Sequence, residues 1–240
     1  MTTSSQSSAQ ASLRNQSEFR LDGKTAVITG AGSGIGRAIA LKFAVNGASI
    51  HILEVSAEAG NSVASEITNS GGNASAHSCD VGNHAETVSI FQRIARQGRI
   101  HILVNNAGVS QIGNVESTQE ADFDRVFRVN VKGYYNCLYG CIPFMKASGG
   151  GVVLNIASVA GSAGLADRFG YSTSKGAVIA MTFSVARDYL QHNIRCNCIS
   201  PGRVHTPFVD DYLRRNYPGP RAGNVRQARP DSTYRAHGKT

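Results

Sequence analysis

The chain contains no tryptophan, only three methionines and six prolines. No apolar run reaches the roughly 18 residues a membrane helix needs, so no contact with a membrane is expected. Cysteine is sparse: five residues, at 79, 137, 141, 196 and 198, an odd count with no zinc-type spacing. That pattern excludes a disulfide framework and a zinc site, and implies five reduced core thiols in a cytoplasmic protein that holds no metal. Acidic side chains are scarce at one end, where residues 214–240 hold seven Lys/Arg against Asp231 alone. Residues 1–213 hold 17 Lys/Arg against 15 Asp/Glu, so the net charge of +8 belongs to the tail. The body therefore carries no specific nucleic-acid footprint. The first 17 residues, "MTTSSQSSAQASLRNQS", lack the apolar core of a secretion signal and read as the start of a disordered polar leader, 1–20.

What is present is an alternation. The strand-like runs "TAVIT", "SIHILE", "SAHSC", "HILVNN", "GVVLNIAS" and "RCNCIS" are short and rich in β-branched residues. Between them lie the helix-period segments Ile35–Asn46, Ala57–Asn69, Asn83–Gln97, Phe123–Met145 and Tyr171–His192. Strands alternating with helices of this length predict parallel βαβ units with right-handed crossovers. No repeat or linker splits residues 21–217, so the fold class is α/β, a single doubly wound parallel sheet of the Rossmann type.

The first strand runs into "TGAGSGIG", Thr29 to Gly36, and then into a helix. Glycines at 30, 34 and 36 permit a sharp turn, close backbone approach to a pyrophosphate, and tight helix–strand packing. A helix N-terminus beyond them favours phosphate. A plain structural turn is the other reading, and the strand before and helix after favour the phosphate loop. The second strand ends in Glu54, which can accept from ribose hydroxyls and repel a 2′-phosphate. Neither Ser33 nor Val55 supplies a cation for such a phosphate, so NAD is expected over NADP. Otherwise Glu54 is a solvated strand end. Asp80, in "CDV", is placed to meet the adenine amino group.

In "YSTSKGA", Tyr171 and Lys175 stand four apart and so share a helix face. One reading is an amphipathic edge with a snorkelling lysine. The other is an acid–base pair in which the lysine lowers a phenol pKa that is ordinarily about 10. Ser158 at a strand end and Asn130 among apolar helix neighbours favour the second.

Together with "NNAG" at 105–108, these motifs resemble the short-chain dehydrogenase/reductase family over roughly residues 20–217. The resemblance implies strand order 3-2-1-4-5-6-7 and a hydride transfer between NAD and a secondary alcohol or ketone. It gives catalytic roles to Asn130, Ser158, Tyr171 and Lys175, with Tyr171 as base and Asn130 supporting a helix bend. Gly30, Ser33, Gly34, Ile35 and Gly36 would bind pyrophosphate, Glu54 the ribose, and Asp80 and Val81 the adenine. Asn106, Ala107 and Gly108 would line the adenosine side, and Lys175 would also anchor ribose hydroxyls. In "PGRVHT", Pro201, Gly202, Val204 and Thr206 would hold the carboxamide. Arg168, Arg203 and His205 are either a carboxylate clamp or ordinary loop charges. "LADRFGYSTSKGAV" and "SPGRVHTPFVDDYL" resemble the branch acting on sugar-derived hydroxy or keto-deoxy acids, the 2-keto-3-deoxy-fuconate-like dehydrogenases. An NADPH-dependent 3-oxoacyl or carbonyl reductase is the alternative within the family.

After "NYPG" at 216–219 the resemblance stops, and 218–240 is polar, basic and aperiodic, as in disordered segments. Encoding Tyr234–Thr240 as TAT CGG GCG CAT GGG AAA ACC and reading one base later gives Ile-Gly-Arg-Met-Gly-Lys, the kind of segment family members carry. The expectation is a frameshift near Pro220. It leaves the seventh strand missing and the sixth as an open edge. The family implies a homotetramer for an intact member, which the lost strand argues against here, and a non-catalytic NAD-binding remnant is the competing function.

Overall fold

The computed structural model of the chain describes residues 19–206. The basic tail and the shifted-frame segment read from the sequence lie outside the described residues. The chain forms two units, Met1–Arg203 and Val204–Thr240, and the fold is that of the first.

Among the described residues six strands make one sheet: β1 Thr25–Thr29, β2 Ser49–Glu54, β3 Asn73–Ser78, β4 Ile102–Asn105, β5 Gly151–Ile156 and β6 Ile194–Ile199. All neighbours are parallel, as the alternating pattern predicts, and the order is β3-β2-β1-β4-β5-β6, as the family resemblance implies for these six strands. The connecting helices are α1 Gly34–Val45, α2 Ala57–Asn69, α3 His84–Gln97, α4 Glu120–Phe127, α5 Gly133–Ala147 and α6 Phe169–Asp188. Their starts follow local chemistry. Ser56 Oγ accepts from Ala59 N, and Asn83 Oδ1 accepts from Glu86 N, each satisfying a first-turn N–H.

Successive strand residues point to opposite faces, and both faces are buried. Ala26, Ile28, Ile50, Ile52 and Val104 pack against Ala40 of α1 and Val63 and Ile67 of α2. Val27, Leu53, Leu103 and Val153 pack against Ile90 and Phe91 of α3, Cys137, Cys141 and Met145 of α5, and Val185 of α6. Each fully buried large aliphatic contributes about 1.5–3 kcal/mol, which explains why these runs read as continuous apolar strands. All five cysteines are free; Cys79, Cys137, Cys141 and Cys196 are buried, while Cys198 is only partly so.

One expected helix is not continuous. Phe123–Met145 is instead α4, a π-helical turn at Arg128–Lys132, and α5. The wider turn accommodates Asn130, whose buried amide bonds outside the helix. The last helix starts at Phe169 and ends at Asp188, with a separate 3-10 turn at Leu190–His192.

Candidate active site

The strand order reverses between β2-β1 and β4, opening a crevice at the carboxyl ends of β1 and β4. The loop after β1 lines it. Gly30 has φ +63°, and a Cβ there would lie 2.8 Å from Ala107 Cα. A Cβ on Gly36 would collide with the Gly30 carbonyl, so the first turn of α1 can approach β1 only with glycine. Gly34 and Ile35 open α1; Ser33 is its N-cap but makes no side-chain cap bond, and no acid stands in the first turn. These features suit a pyrophosphate at the helix N-terminus. Glu54, at the end of β2, accepts from Gly32 N at 3.0 Å, which brings its carboxylate to the glycine loop.

Across the crevice, Asn106 Nδ2 donates to the carbonyls of Thr29 (2.9 Å) and Gly30 (3.0 Å). Thr29 Oγ1 accepts from the N–H groups of Asn106 and Ala107 at 2.9 and 3.0 Å. Thr29, which the sequence reading passed over, therefore ties the two sides together. Its signal was a polar residue closing an apolar strand. Asp80 pairs with Arg128 at 2.5 Å and accepts from Gly82 N at 2.9 Å. Burial pushes Asp80 up, but the Arg128 hydrogen bond, the Gly82 N–H and the Arg128 charge together hold it below the usual range. Val81 lies with its side chain in the core, and its carbonyl accepts from Asn136 Nδ2 at 2.7 Å.

The chemistry-bearing side chains converge beyond β5. Ser158 caps a 3-10 turn, Val159–Gly161, with Oγ accepting from Ala160 N at 3.2 Å. That turn rests on α6: a Cβ on Gly161 would lie 2.6 Å from the Lys175 carbonyl carbon. The close seating brings Ser158 near enough to the Tyr171 phenol to pull its pKa down. Val159 N donates to Pro201 O at 3.1 Å, placing the start of the segment after β6 beside this turn, with Gly202 and Arg203 following. Lys175 is buried at 4% exposure and donates to Ile156 O at 2.6 Å.

Asn130 is fully buried. Its Oδ1 accepts from Val109 N (2.8 Å), and its Nδ2 donates to Val109 O (3.0 Å) and Ser174 Oγ (3.0 Å). It thus pins the loop holding Ala107 and Gly108 to α6. A Cβ on Gly108 would lie 3.3 Å from Asn130 Oδ1 and 3.7 Å from Lys175 Nζ. Arg168 stands at the N-cap of α6, its Nη1 donating to Asp167 O at 3.2 Å. Val204, His205 and Thr206 belong to the second unit.

Lysine and the positive nicotinamide ring are together expected to acidify the phenol. Among the chain's own groups, burial, the largest effect, pushes Tyr171 above its ordinary value, while Ser158 and the Arg168 charge pull it down. Lys175 spends its shortest bond on Ile156 O and lies 5.9 Å from the Tyr171 ring centroid.

The family model described as "short chain dehydrogenase" matches residues 24–216. An "Uncharacterized oxidoreductase" of Thermotoga maritima is 43% identical over 188 residues, covering 78% of this chain and 74% of that protein. The 7alpha-hydroxysteroid dehydrogenase of Escherichia coli K12 is 38% identical over 200 residues, covering 83% and 78%. Among solved structures, NAD+-bound xylitol dehydrogenase superposes with a TM-score of 0.79 at 34% identity, covering 82% of this chain and 76% of that one.

Proposed function

This chain belongs to the short-chain dehydrogenase family, and on that premise we propose that it interconverts a secondary alcohol and a ketone with NAD. The observation that carries the reading is the convergence of buried Ser158, just beyond β5, and Tyr171, one helical turn from buried Lys175. When bound, the dinucleotide supplies the hydride acceptor and donor, and its oxidised form brings a positive charge.

The chain's own groups do the rest. The glycine loop and the N-terminus of α1 hold the pyrophosphate. Glu54, fixed to Gly32 N, receives ribose hydroxyls and repels a 2′-phosphate, which favours NAD over NADP. Tyr171 Oη takes the carbinol proton in oxidation and returns it in reduction. Ser158 steadies the charge that develops on the substrate oxygen. Lys175 holds the ribose, and Asn130 fixes the Val109 loop against the same helix. Asp80, held by Arg128, is left to meet the adenine edge through its remaining acceptor capacity.

The Arg168 charge acts on Tyr171, which supports an anionic group beside the reacting carbon. The substrate class that fits is a sugar-derived hydroxy or keto acid. Tyr171→Phe is expected to keep NAD affinity and lose turnover about 10²–10⁴-fold, read by NAD titration and steady-state rates. Unchanged turnover removes Tyr171 from the role. A panel of acidic and neutral sugar alcohols tests the substrate class, and preference for neutral ones refutes the carboxylate clamp.

A further inference from the structure

Lysine is costly to bury, and Lys175 has few partners for doing so. Its Nζ donates to Ile156 O at 2.6 Å. The other polar atom at hand is the hydroxyl of Tyr134, 3.5 Å away. Tyr134 sits on α5 at 1% exposure, and its O–H donates to the same Ile156 carbonyl at 2.9 Å. Because that proton is committed to Ile156, the lone pairs of the phenol remain for the ammonium. The Tyr134 ring centroid is 5.4 Å from Nζ and the Tyr171 ring centroid 5.9 Å, both within the roughly 6 Å reach of a cation–π contact.

We propose that Tyr134 is a positioning residue for the reaction, clamping the Lys175 ammonium through its hydroxyl and ring while sharing the Ile156 carbonyl with it. The inference rests on the functional reading given above, in which Lys175 must be an ammonium to hold the cofactor ribose. Of the three ammonium protons, Ile156 O and Tyr134 Oη take two, which leaves one for the ribose.

The surroundings support the clamp. Facing Lys175 are Tyr171 on its own helix and Tyr134 on α5, with Cys137 behind Tyr134 and Arg168 acting on Tyr171. β5 contributes the neutral Ile156 carbonyl, and the π-helical turn the neutral Asn130 amide across Gly108. Burial, the largest effect, pushes the Tyr134 phenol and the Cys137 thiol well up, so both stay neutral. Among the described residues no anion offsets the buried charge, and burial lowers Lys175 to about 8. A neutral hydroxyl and a ring face are then what keep it protonated near neutral pH.

The test is the pH dependence of kcat and of KM for NAD in Tyr134→Phe and Tyr134→Leu. Losing a stabiliser of the ammonium lowers the Lys175 pKa, so the alkaline limb of kcat moves down in pH. The expected shift is about half to one pH unit for Phe and about one to two units for Leu, with a few-fold rise in KM for NAD. A limb unmoved in Tyr134→Phe overturns the proposal, whatever the variant's melting temperature, and this holds if Tyr134→Leu fails to fold. The Lys175 ¹³Cε resonance, assigned by its loss in Lys175→Met, gives a readout without turnover. Its midpoint is expected to fall in Tyr134→Phe, and an identical midpoint overturns the clamp even without catalysis. A wild-type protein that binds NAD but turns over no alcohol strikes the functional reading instead, and the resonance still decides the clamp.

Discussion

Strands β1–β3 with α1 and α2 pack a core of alanine, valine and isoleucine, with Thr29, Asn46 and His51 as their buried polar residues. The half made by β4–β6, α5, α6 and the π-helical turn buries Asn105, Asn130, Asn136, Asn155 and Lys175 as well. In the proposed function the first half would meet the dinucleotide with backbone: glycine turns, helix N–H groups, and one carboxylate at a strand end. The second half offers side chains, with Lys175 backed by the Ile156 carbonyl and Asn130 pinned to Val109 and Ser174. A ladder runs from Asn105 Nδ2 to Asn155 Oδ1 (2.9 Å) and from Asn155 Nδ2 to Thr182 Oγ1 (2.9 Å), joining β4, β5 and α6 beneath the site. Backbone sites fail when a side chain intrudes, whereas side-chain sites fail when a supporting partner is removed.

That contrast can be broken at its strongest point by Gly36→Val. The added carbons collide with the Gly30 carbonyl, and dinucleotide affinity is expected to fall about 100-fold or more by titration. Retained affinity would show that the loop does not need its close approach. On the other side, Asn155→Ala strips partners from Asn105 and Thr182. It is expected to cost about 2–3 kcal/mol, or roughly 4–12 °C in melting temperature, while NAD affinity holds. If binding falls and stability does not, the two halves are not divided as described.

Glu54→Ser sharpens the comparison more gently. Removing the carboxylate is expected to move the NAD-to-NADP preference about tenfold toward NADP, read from the two dissociation constants. The smallest effect concerns β2 and β3, where His51 Nδ1 and His77 Nε2 lie 3.0 Å apart. Burial, then the His77 charge, lowers His51 from its ordinary 6.5 to about 4, and burial, then the Arg93 charge, lowers His77. The folded form therefore resists protons that the unfolded chain accepts below pH 6.5. Stability is full above that pH and falls as pH drops from 6.5 toward 4. A melting temperature lower by a few degrees at pH 5 than at pH 7, and flatter in His51→Leu, checks it.

Much of this was readable before any coordinates. The strand-like and helix-period runs mark the six strands, because parallel sheets bury both faces and leave unbroken β-branched runs; their order in the sheet came from the family resemblance. The glycine spacing and Tyr171-x-x-x-Lys175 named the two ends of the site. What stayed hidden was pairing. Arg128 lies 48 positions from Asp80, and Tyr134 lies 41 from Lys175. Sequence spacing carries no information about such contacts, and a buried ammonium is only a hint that something must face it. A shared helix face likewise does not say that Lys175 spends its shortest bond on Ile156 O.

The π-helical turn at Arg128–Lys132 carries one residue more than an α-helix spanning the same rise. It behaves as a spacer that sets the azimuth of α4 independently of α5. Excising one residue there would swing Glu120–Phe127 by about 100° about the axis, carrying Arg125 away from the Ser110 carbonyl it now grips. Members of the fold differing by a single-residue gap at this place would hence present a different wall to whatever enters the crevice.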